Sequence, residues 1–102
     1  MAYIALVRLH ELYDGYRQLV RLGGRELLLL QEQGRVYLLA NQCPHRQAPL
    51  SRASVAGDLL RCPAHGIEFS LGSGRALNAP DCPGLTFYPL VYEGNTLGIE
   101  QP

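Results

Sequence analysis

Short apolar stretches separated by glycine-containing turns make up the first 40 residues of the chain. Gly23-Gly24 predicts a tight hairpin turn, because glycine accepts positive φ without strain. The continuous run Leu27 to Leu30 predicts a strand buried on both faces, since the flanking glycines leave too little length for a helix. Residues 10–15 predict a turn or a single helical turn that ends at Gly15. Four strands are predicted, over residues 3–9, 16–22, 25–32 and 35–40.

The pattern changes between residues 41 and 83, where prolines and glycines recur and all three cysteines lie. Within this segment, short strands are predicted at 59–61 and 67–69, on either side of a loop. The strand pattern resumes over 85–93 and again over 96–100. No helical periodicity is sustained anywhere. We therefore expect an all-β sandwich or barrel with a loop-rich insertion in its middle.

Length and composition narrow the classes of function. The 102 residues suffice for one domain, 1–102, and 47% hydrophobic residues support a compact core rather than disorder. Nine basic residues balance nine acidic ones, so the basic excess of a nucleic-acid binder is absent. No apolar run approaches the roughly 20 residues of a membrane span, and no signal-peptide pattern begins the chain. We expect a cytoplasmic protein with no nucleic-acid or membrane partner.

Two matched loops hold the candidate chemistry. The first reads Cys43-Pro44-His45 and the second Cys62-Pro63-Ala64-His65, with 16 residues between His45 and Cys62. Each loop follows a predicted strand, so the two loops could face one another. Two thiolates and two imidazoles that converge would make a four-ligand metal site. Buried cysteines beside surface histidines are the alternative interpretation, which the matched pairing disfavours.

The order of cysteine and histidine within each loop helps to distinguish a zinc ion from an iron–sulfur cluster. A structural zinc site usually pairs cysteine with cysteine and histidine with histidine, whereas each loop here supplies one of each. A 2Fe–2S cluster in which two histidines replace two cysteines on one iron needs two ligands of each type, which two mixed loops supply. Each loop would then give its cysteine to one iron and its histidine to the other.

These two boxes resemble the C-x-H and C-x-x-H boxes of Rieske iron–sulfur proteins. The resemblance extends to Ala48-Pro49-Leu50, to Gly66-Ile67-Glu68-Phe69 and to Asn78-Ala79-Pro80, which is similar to the proline-bearing loop that covers the cluster. It implies an antiparallel β-sandwich of three sheets, with the cluster loops in an insertion at about 41–83. It also implies one 2Fe–2S cluster per chain, held by Cys43, His45, Cys62 and His65, with both histidines near the surface.

The surroundings of the boxes indicate a subclass. Rieske proteins of respiratory cytochrome bc complexes have two further cysteines, joined in a disulfide, where this chain has Ala48 and Ala64. They also have a serine and a tyrosine that donate hydrogen bonds to sulfur, where this chain has Ile67 and Phe69. The chain therefore resembles the low-potential ferredoxins of bacterial aromatic-ring oxygenase systems. Gln47 departs from the glycine that many members have at its position.

Three functions follow as hypotheses. The first is a soluble, monomeric one-electron carrier, not itself an enzyme, that takes electrons from a flavin-dependent NAD(P)H reductase and passes them transiently to a terminal oxygenase. The second is the small Rieske subunit of an NAD(P)H nitrite reductase. The third, of another class, is a redox or iron sensor or a zinc-bound interaction module.

Four features outside the ligand set carry expectations of their own. His10 is expected at the surface, and Cys82 is expected to be a free thiol. Arg46, beside His45, is expected to be solvated, although it could steer an acidic partner. An apolar lid over the loops, which would restrict solvent access, is predicted from Pro44, Pro63, Pro80 and Leu50.

Overall fold

In the part of the chain that the structure describes, the strands form three antiparallel sheets of three strands each. The computed structural model describes residues 2–44, 48–64 and 66–101. Within that part of the chain, the sheet orders are β1-β9-β8, β2-β3-β4 and β5-β6-β7, and a single 3₁₀ turn, Leu9–Glu11, follows β1. The all-β prediction, with its three antiparallel sheets, is confirmed. The strands are β1 (Ala2–Arg8), β2 (Arg17–Leu22), β3 (Arg25–Glu32), β4 (Arg35–Ala40), β5 (Ser54–Ala56), β6 (Leu59–Arg61), β7 (Glu68–Ser70), β8 (Val91–Glu93) and β9 (Thr96–Gln101).

Strand β3 lies at the centre of the molecule. Its four consecutive leucines are all buried, with at most 3% of any of them exposed, as the uninterrupted apolar run predicts. Successive side chains of a strand point to opposite faces, and here each face has its own core. Leu28 and Leu30 pack into one core, and Leu27 and Leu29 into the other. The hairpin from β2 turns through Gly23 and Gly24, whose φ angles are 57° and 79°.

Two cores therefore lie on either side of the β2-β3-β4 sheet. The first, which we call the cysteine core, holds both motif cysteines; the second, the distal core, packs mainly against the sheet that contains β1 and β9. The cysteine core consists of Leu28, Leu30, Leu39, Cys43, Leu50, Ala53, Leu60, Cys62, Ile67, Phe69 and Leu71. The distal core consists of Val7, Val20, Leu27, Leu29, Leu38 and Leu97. The first cysteine loop thus follows a strand of the sheet that is buried on both sides, and the second follows β6 of the β5-β6-β7 sheet.

Two strand predictions differ from the structure. The strand predicted over 85–93 is wrong in extent, because only Val91–Glu93 forms β8. Pro89 has no backbone N–H to give to a ladder, and the residues before it instead follow the edge of β4, with a single bridge from Phe87 to Leu39. The short strand β5 was not predicted, since three residues are too few to show an alternating pattern.

Candidate metal centre

Both motif cysteines lie just after the end of a strand, in the loop that follows it. Cys43 follows β4 by three positions, and Cys62 directly follows the last residue of β6. Their exposed fractions are 0% and 1%, and both belong to the cysteine core. A buried, apolar surrounding restricts water around any group that the two sulfurs hold.

Each cysteine closes its own loop through the backbone. The N–H of Cys43 donates to the carbonyl of Ala48 at 2.7 Å, and the N–H of Cys62 donates to the carbonyl of Ile67 at 2.9 Å. Gly66 then donates back to the carbonyl of Cys62 at 3.0 Å, with a φ of 67° that glycine adopts at little cost. Both loops are therefore tied at the residue that carries the sulfur.

Asn41 clamps the base of the first loop. It is only 3% exposed, and its Oδ1 accepts a hydrogen bond from the N–H of Leu50 at 2.9 Å. Its Nδ2 donates to Glu26 Oε1 at 2.7 Å, and its backbone N–H donates to the Glu26 carbonyl at 3.0 Å. Glu26 also forms an ion pair with Arg21 at 3.2 Å. The first loop is thus anchored to strand β3 through one buried amide.

Asn78 holds the second loop in place through the hydrogen bonds of its side-chain amide. Its Nδ2 donates to the carbonyl of Gly66 at 3.1 Å, and its Oδ1 accepts from the N–H of Glu68 at 2.9 Å. The backbone N–H of Leu77 adds a further bond to the Glu68 carbonyl at 2.7 Å. The segment around Asn78 is therefore joined to the end of the second box.

The proline-bearing segment that follows lies against the first loop. Pro44 and Pro80 both line a cavity of about 270 Å³, to which Ala79, Asp81, Cys82 and Pro83 also contribute. Cys82 is a free thiol, as predicted, and it packs against the cysteine core. Burial, and secondly the nearby sulfur of Cys62, raises the pKa of the Cys82 thiol. Its position beside the core was not foreseen, because 19 residues separate it from Cys62 in the sequence.

The residues that distinguish the subclass lie around the loops. Ile67 and Phe69 are buried in the cysteine core, with 7% and 0% exposed, and neither side chain can donate a hydrogen bond. Ala48 and Ala64 line one depression of about 520 Å³ between the two loops. Their shared position agrees with the resemblance, in which these are the two sites of a bridging disulfide.

The predicted apolar lid is only partly correct. Pro63 and Pro80 are exposed and Pro44 is partly buried, but Leu50 has no exposed surface and belongs to the cysteine core beneath the first loop. Leu50 was misassigned because its backbone is held inward by Asn41, a contact that the sequence does not display. His10 is exposed, as expected.

The remaining candidate residues lie outside the described part of the chain. These are the predicted ligands His45 and His65, together with Arg46 and Gln47. The described part of each box fits a cluster, because it supplies one buried sulfur at the closure of a tight loop next to an apolar core. A bound 2Fe–2S cluster supplies reversible one-electron chemistry. Among the described residues, no other group of histidine, cysteine or acidic side chains could hold a metal ion.

Asn41 and Asn78 were not singled out from the sequence. A signal existed for Asn41, since it is a polar residue between the apolar end of β4 and a buried cysteine. A polar side chain at such a point has to be satisfied by hydrogen bonds, and turning chains use asparagine for this purpose. Which groups it binds could not be predicted, because Glu26 lies 15 positions before it and Leu50 lies nine positions after it, across the first loop.

Replacing Asn41 by alanine is expected to loosen the first loop. The N–H of Leu50 would lose its acceptor in a buried position, which costs about 1–3 kcal/mol of unfolding free energy. We expect a lower midpoint in chemical denaturation and faster release of iron to a chelator. The matched control is the double variant Asn41→Asp with Glu26→Gln. It keeps an acceptor for the N–H of Leu50 and a hydrogen bond between the side chains at positions 41 and 26. It should therefore restore the denaturation midpoint and the rate of iron release. Unchanged iron release in the alanine variant would contradict the clamp.

Comparisons with known proteins identify the family of the chain. Residues 2–89 match the family model described as the Rieske [2Fe-2S] domain. The chain is 34% identical, over 96% of its length and 94% of the relative's, to the ferredoxin component of the naphthalene 1,2-dioxygenase system of Pseudomonas aeruginosa. Its fold matches the Sphingomonas yanoikuyae B1 ferredoxin with a TM-score of 0.84 and 26% identity, over 99% and 100% of the two chains.

A second solved structure has the same fold. It is the complex of reduced oxygenase and oxidised ferredoxin in carbazole 1,9a-dioxygenase, of which one chain gives a TM-score of 0.81 at 22% identity, over 94% of this chain and 90% of the other. No helix in the described part of this chain is long and apolar enough to cross a membrane. The chain belongs to the Rieske [2Fe–2S] domain family, and its cofactor is one 2Fe–2S cluster.

Proposed function

We propose that this chain is the ferredoxin component of an oxygenase system, a one-electron carrier that delivers electrons to a terminal oxygenase. The observation that carries the proposal is the similarity to a dioxygenase ferredoxin component over 96% of one chain and 94% of the other. The solved complex of a ferredoxin with the oxygenase of carbazole dioxygenase supports the same kind of partner here.

The proposed ligands are Cys43 and Cys62 on one iron and His45 and His65 on the other. Two buried cysteines at the closures of paired loops support the first half of this assignment. The histidines follow from the spacing of the two boxes. Two ferric ions, two sulfides, two thiolates and two neutral imidazoles sum to zero charge, whereas four thiolates would give minus two. An electron is added more easily to the neutral cluster, which raises its potential above that of plant-type ferredoxins.

We propose the remaining assignments from the same family relationship. The electron donor is a flavin-dependent NAD(P)H reductase, and contacts with both partners are transient. The carrier acts as a cytoplasmic monomer. Its 102 residues form a single Rieske domain in which the segment at about 41–83 supplies the cluster loops.

Reconstitution of electron transfer tests the proposal. The holoprotein, a flavin-dependent reductase and a terminal oxygenase encoded beside it are combined with NAD(P)H, and product formation is measured with and without this chain. We expect turnover to require the chain, with one electron taken up per cluster. Omission without effect would contradict the proposal. Stimulation of nitrite reduction by a nitrite reductase large subunit, with none of oxygenase turnover, would favour the nitrite reductase alternative.

A further inference from the structure

Charge is distributed unevenly along this electrically neutral chain. Residues 41–57 contain two arginines and no acidic residue, and residues 59–67 contain one arginine and no acidic residue. Asp58, which separates the two segments, accepts hydrogen bonds from Ser70 Oγ at 2.7 Å and from the N–H of Gly72 at 2.8 Å. The segments that carry both cysteine boxes are therefore basic, although Asp58 and Glu68 border them in the sequence and Asp81 lines the cavity beside Pro44.

A depression of about 520 Å³ lies between these two segments, and we call it the loop groove. Four small apolar residues and two polar ones line it: Ala48, Pro49, Ser51, Arg52, Pro63 and Ala64. All but Ala48 and Ser51 are exposed. The groove is thus an apolar surface open to solvent, next to the first and second boxes.

Among the described residues, one guanidinium group lines this groove and a second is hydrogen-bonded to a residue that lines it. Arg52 is exposed and forms no hydrogen bond or ion pair with any residue that the structure describes. Arg17 reaches across from β2, and its Nη1 donates to the carbonyl of Ser51 at 3.0 Å. That bond uses a neutral acceptor, so the positive charge of Arg17 is not neutralised by it. The rim of the groove therefore carries two charges without an internal carboxylate partner.

We propose that the loop groove is a docking site for a redox protein that presents an apolar side chain flanked by carboxylates. This inference rests on the proposed function, because it names the charge of the surface with which the carrier exchanges electrons. Burial of the apolar lining contributes to binding. The positive charge of the arginines favours an acidic partner and steers its approach. Arginine also binds carboxylates in a bidentate geometry that fixes orientation. A partner seated there lies beside the loops that contain Cys43 and Cys62.

The test measures electron transfer from the reduced holoprotein to two forms of one protein probe. The probes are cytochrome c, which is basic, and succinylated cytochrome c, whose lysines bear carboxylates. Stopped-flow absorbance gives the second-order rate constants at several ionic strengths. We expect the succinylated probe to react faster, with a rate that falls as salt is added. Arg52→Glu should lower its rate about tenfold, and Arg17→Glu should lower it in the same direction.

Arg35→Glu is the matched control, with the same change of net charge. Arg35 begins β4, and the strand's six residues place it roughly 17 Å from the end that leads to Cys43. Its variant should leave the ratio of the two rates nearly unchanged. Ser51→Trp should slow the succinylated probe by filling the groove, without changing the cluster's absorbance spectrum. Ser51 is neither a proposed ligand nor next to one.

Three results would overturn the proposal: a faster reaction with unmodified cytochrome c, equal effects of Arg35→Glu and Arg52→Glu, or dimerisation of the chain through this groove. The first two results leave the proposed function standing, because each presupposes a cluster that accepts and donates one electron, and dimerisation would contradict only the monomeric state proposed above. A chain that cannot reduce either probe would contradict the proposed function instead.

Discussion

Cys62→Ala should yield a folded protein that has lost its cluster. The parent should contain about two irons and two sulfides per chain when prepared anaerobically, and the variant at most about a tenth of that. The reason is that the side chain supplies a buried, negatively charged sulfur at the closure of its loop, for which alanine offers neither charge nor donor atom. Iron and sulfide analysis and the visible absorbance band measure the loss. Cys43→Ala should behave in the same way.

Cys82 provides the internal control for this experiment. After burial, the sulfur of Cys62 is the second cause that raises the pKa of the Cys82 thiol, and Cys82 packs against the cysteine core. Cys82→Ser should nonetheless keep the full cluster, since Cys82 belongs to neither box. The double variant Cys62→Ala with Cys82→Ser shows whether any cluster left in Cys62→Ala depends on the neighbouring thiol. Full iron content in that double variant would contradict the ligand assignment.

The histidine half of the assignment has a different signature. His45→Cys or His65→Cys should keep a cluster, because thiolate is also an iron ligand, but should lower its potential. One added thiolate makes the cluster more negative, and we expect a fall on the order of 100 mV, towards the values of plant-type ferredoxins. An unchanged or higher potential would show that the replaced histidine is not a ligand.

The part of the fold that could be predicted is the part that local sequence determines. Strands β3 and β4 were predicted with the bounds that the structure has, because glycine turns delimit them and leave too little length for a helix. The segment 85–93 could not be predicted from its pattern, since its pairing partner is the edge of β4 rather than an adjacent hairpin strand. Such an edge contact depends on the tertiary arrangement.

The same division applies to the site. Cys43 and Cys62 could be identified because a cysteine–proline pair followed by histidine, repeated once, is a rare local pattern. The residues that hold those loops in place are visible only in three dimensions. Asn41 binds Glu26, which lies 15 positions away, and Asn78 binds Gly66, which lies 12 positions away. Local patterns thus reveal ligands more readily than the groups that position them.

The second prediction of large effect concerns the reduction potential. It should lie at the low end of the Rieske range, around −150 mV, because the side chains of Ile67 and Phe69 pack near the cysteines without any group that could donate to sulfur. A hydrogen bond to sulfur stabilises the reduced cluster more than the oxidised one, since the reduced cluster carries the added negative charge. If the difference is about 1 kcal/mol per bond, each donor raises a one-electron potential by about 40 mV.

Ile67→Ser and Phe69→Tyr should therefore each raise the potential by about 40 mV, and the double variant by about 80 mV, as measured by redox titration. Ile67→Ala controls for the loss of side-chain volume without adding a donor, and it should leave the potential close to that of the parent. Phe69 has no exposed surface, so a tyrosine hydroxyl that missed the sulfur would be buried without a partner and would destabilise the fold by about 1–3 kcal/mol. Unfolding measurements hence separate a misplaced hydroxyl from one that binds sulfur without effect. A parent potential well above 0 mV would contradict the low-potential assignment directly. A hydrogen-bond donor at some position other than 67 and 69 would then have to raise the potential.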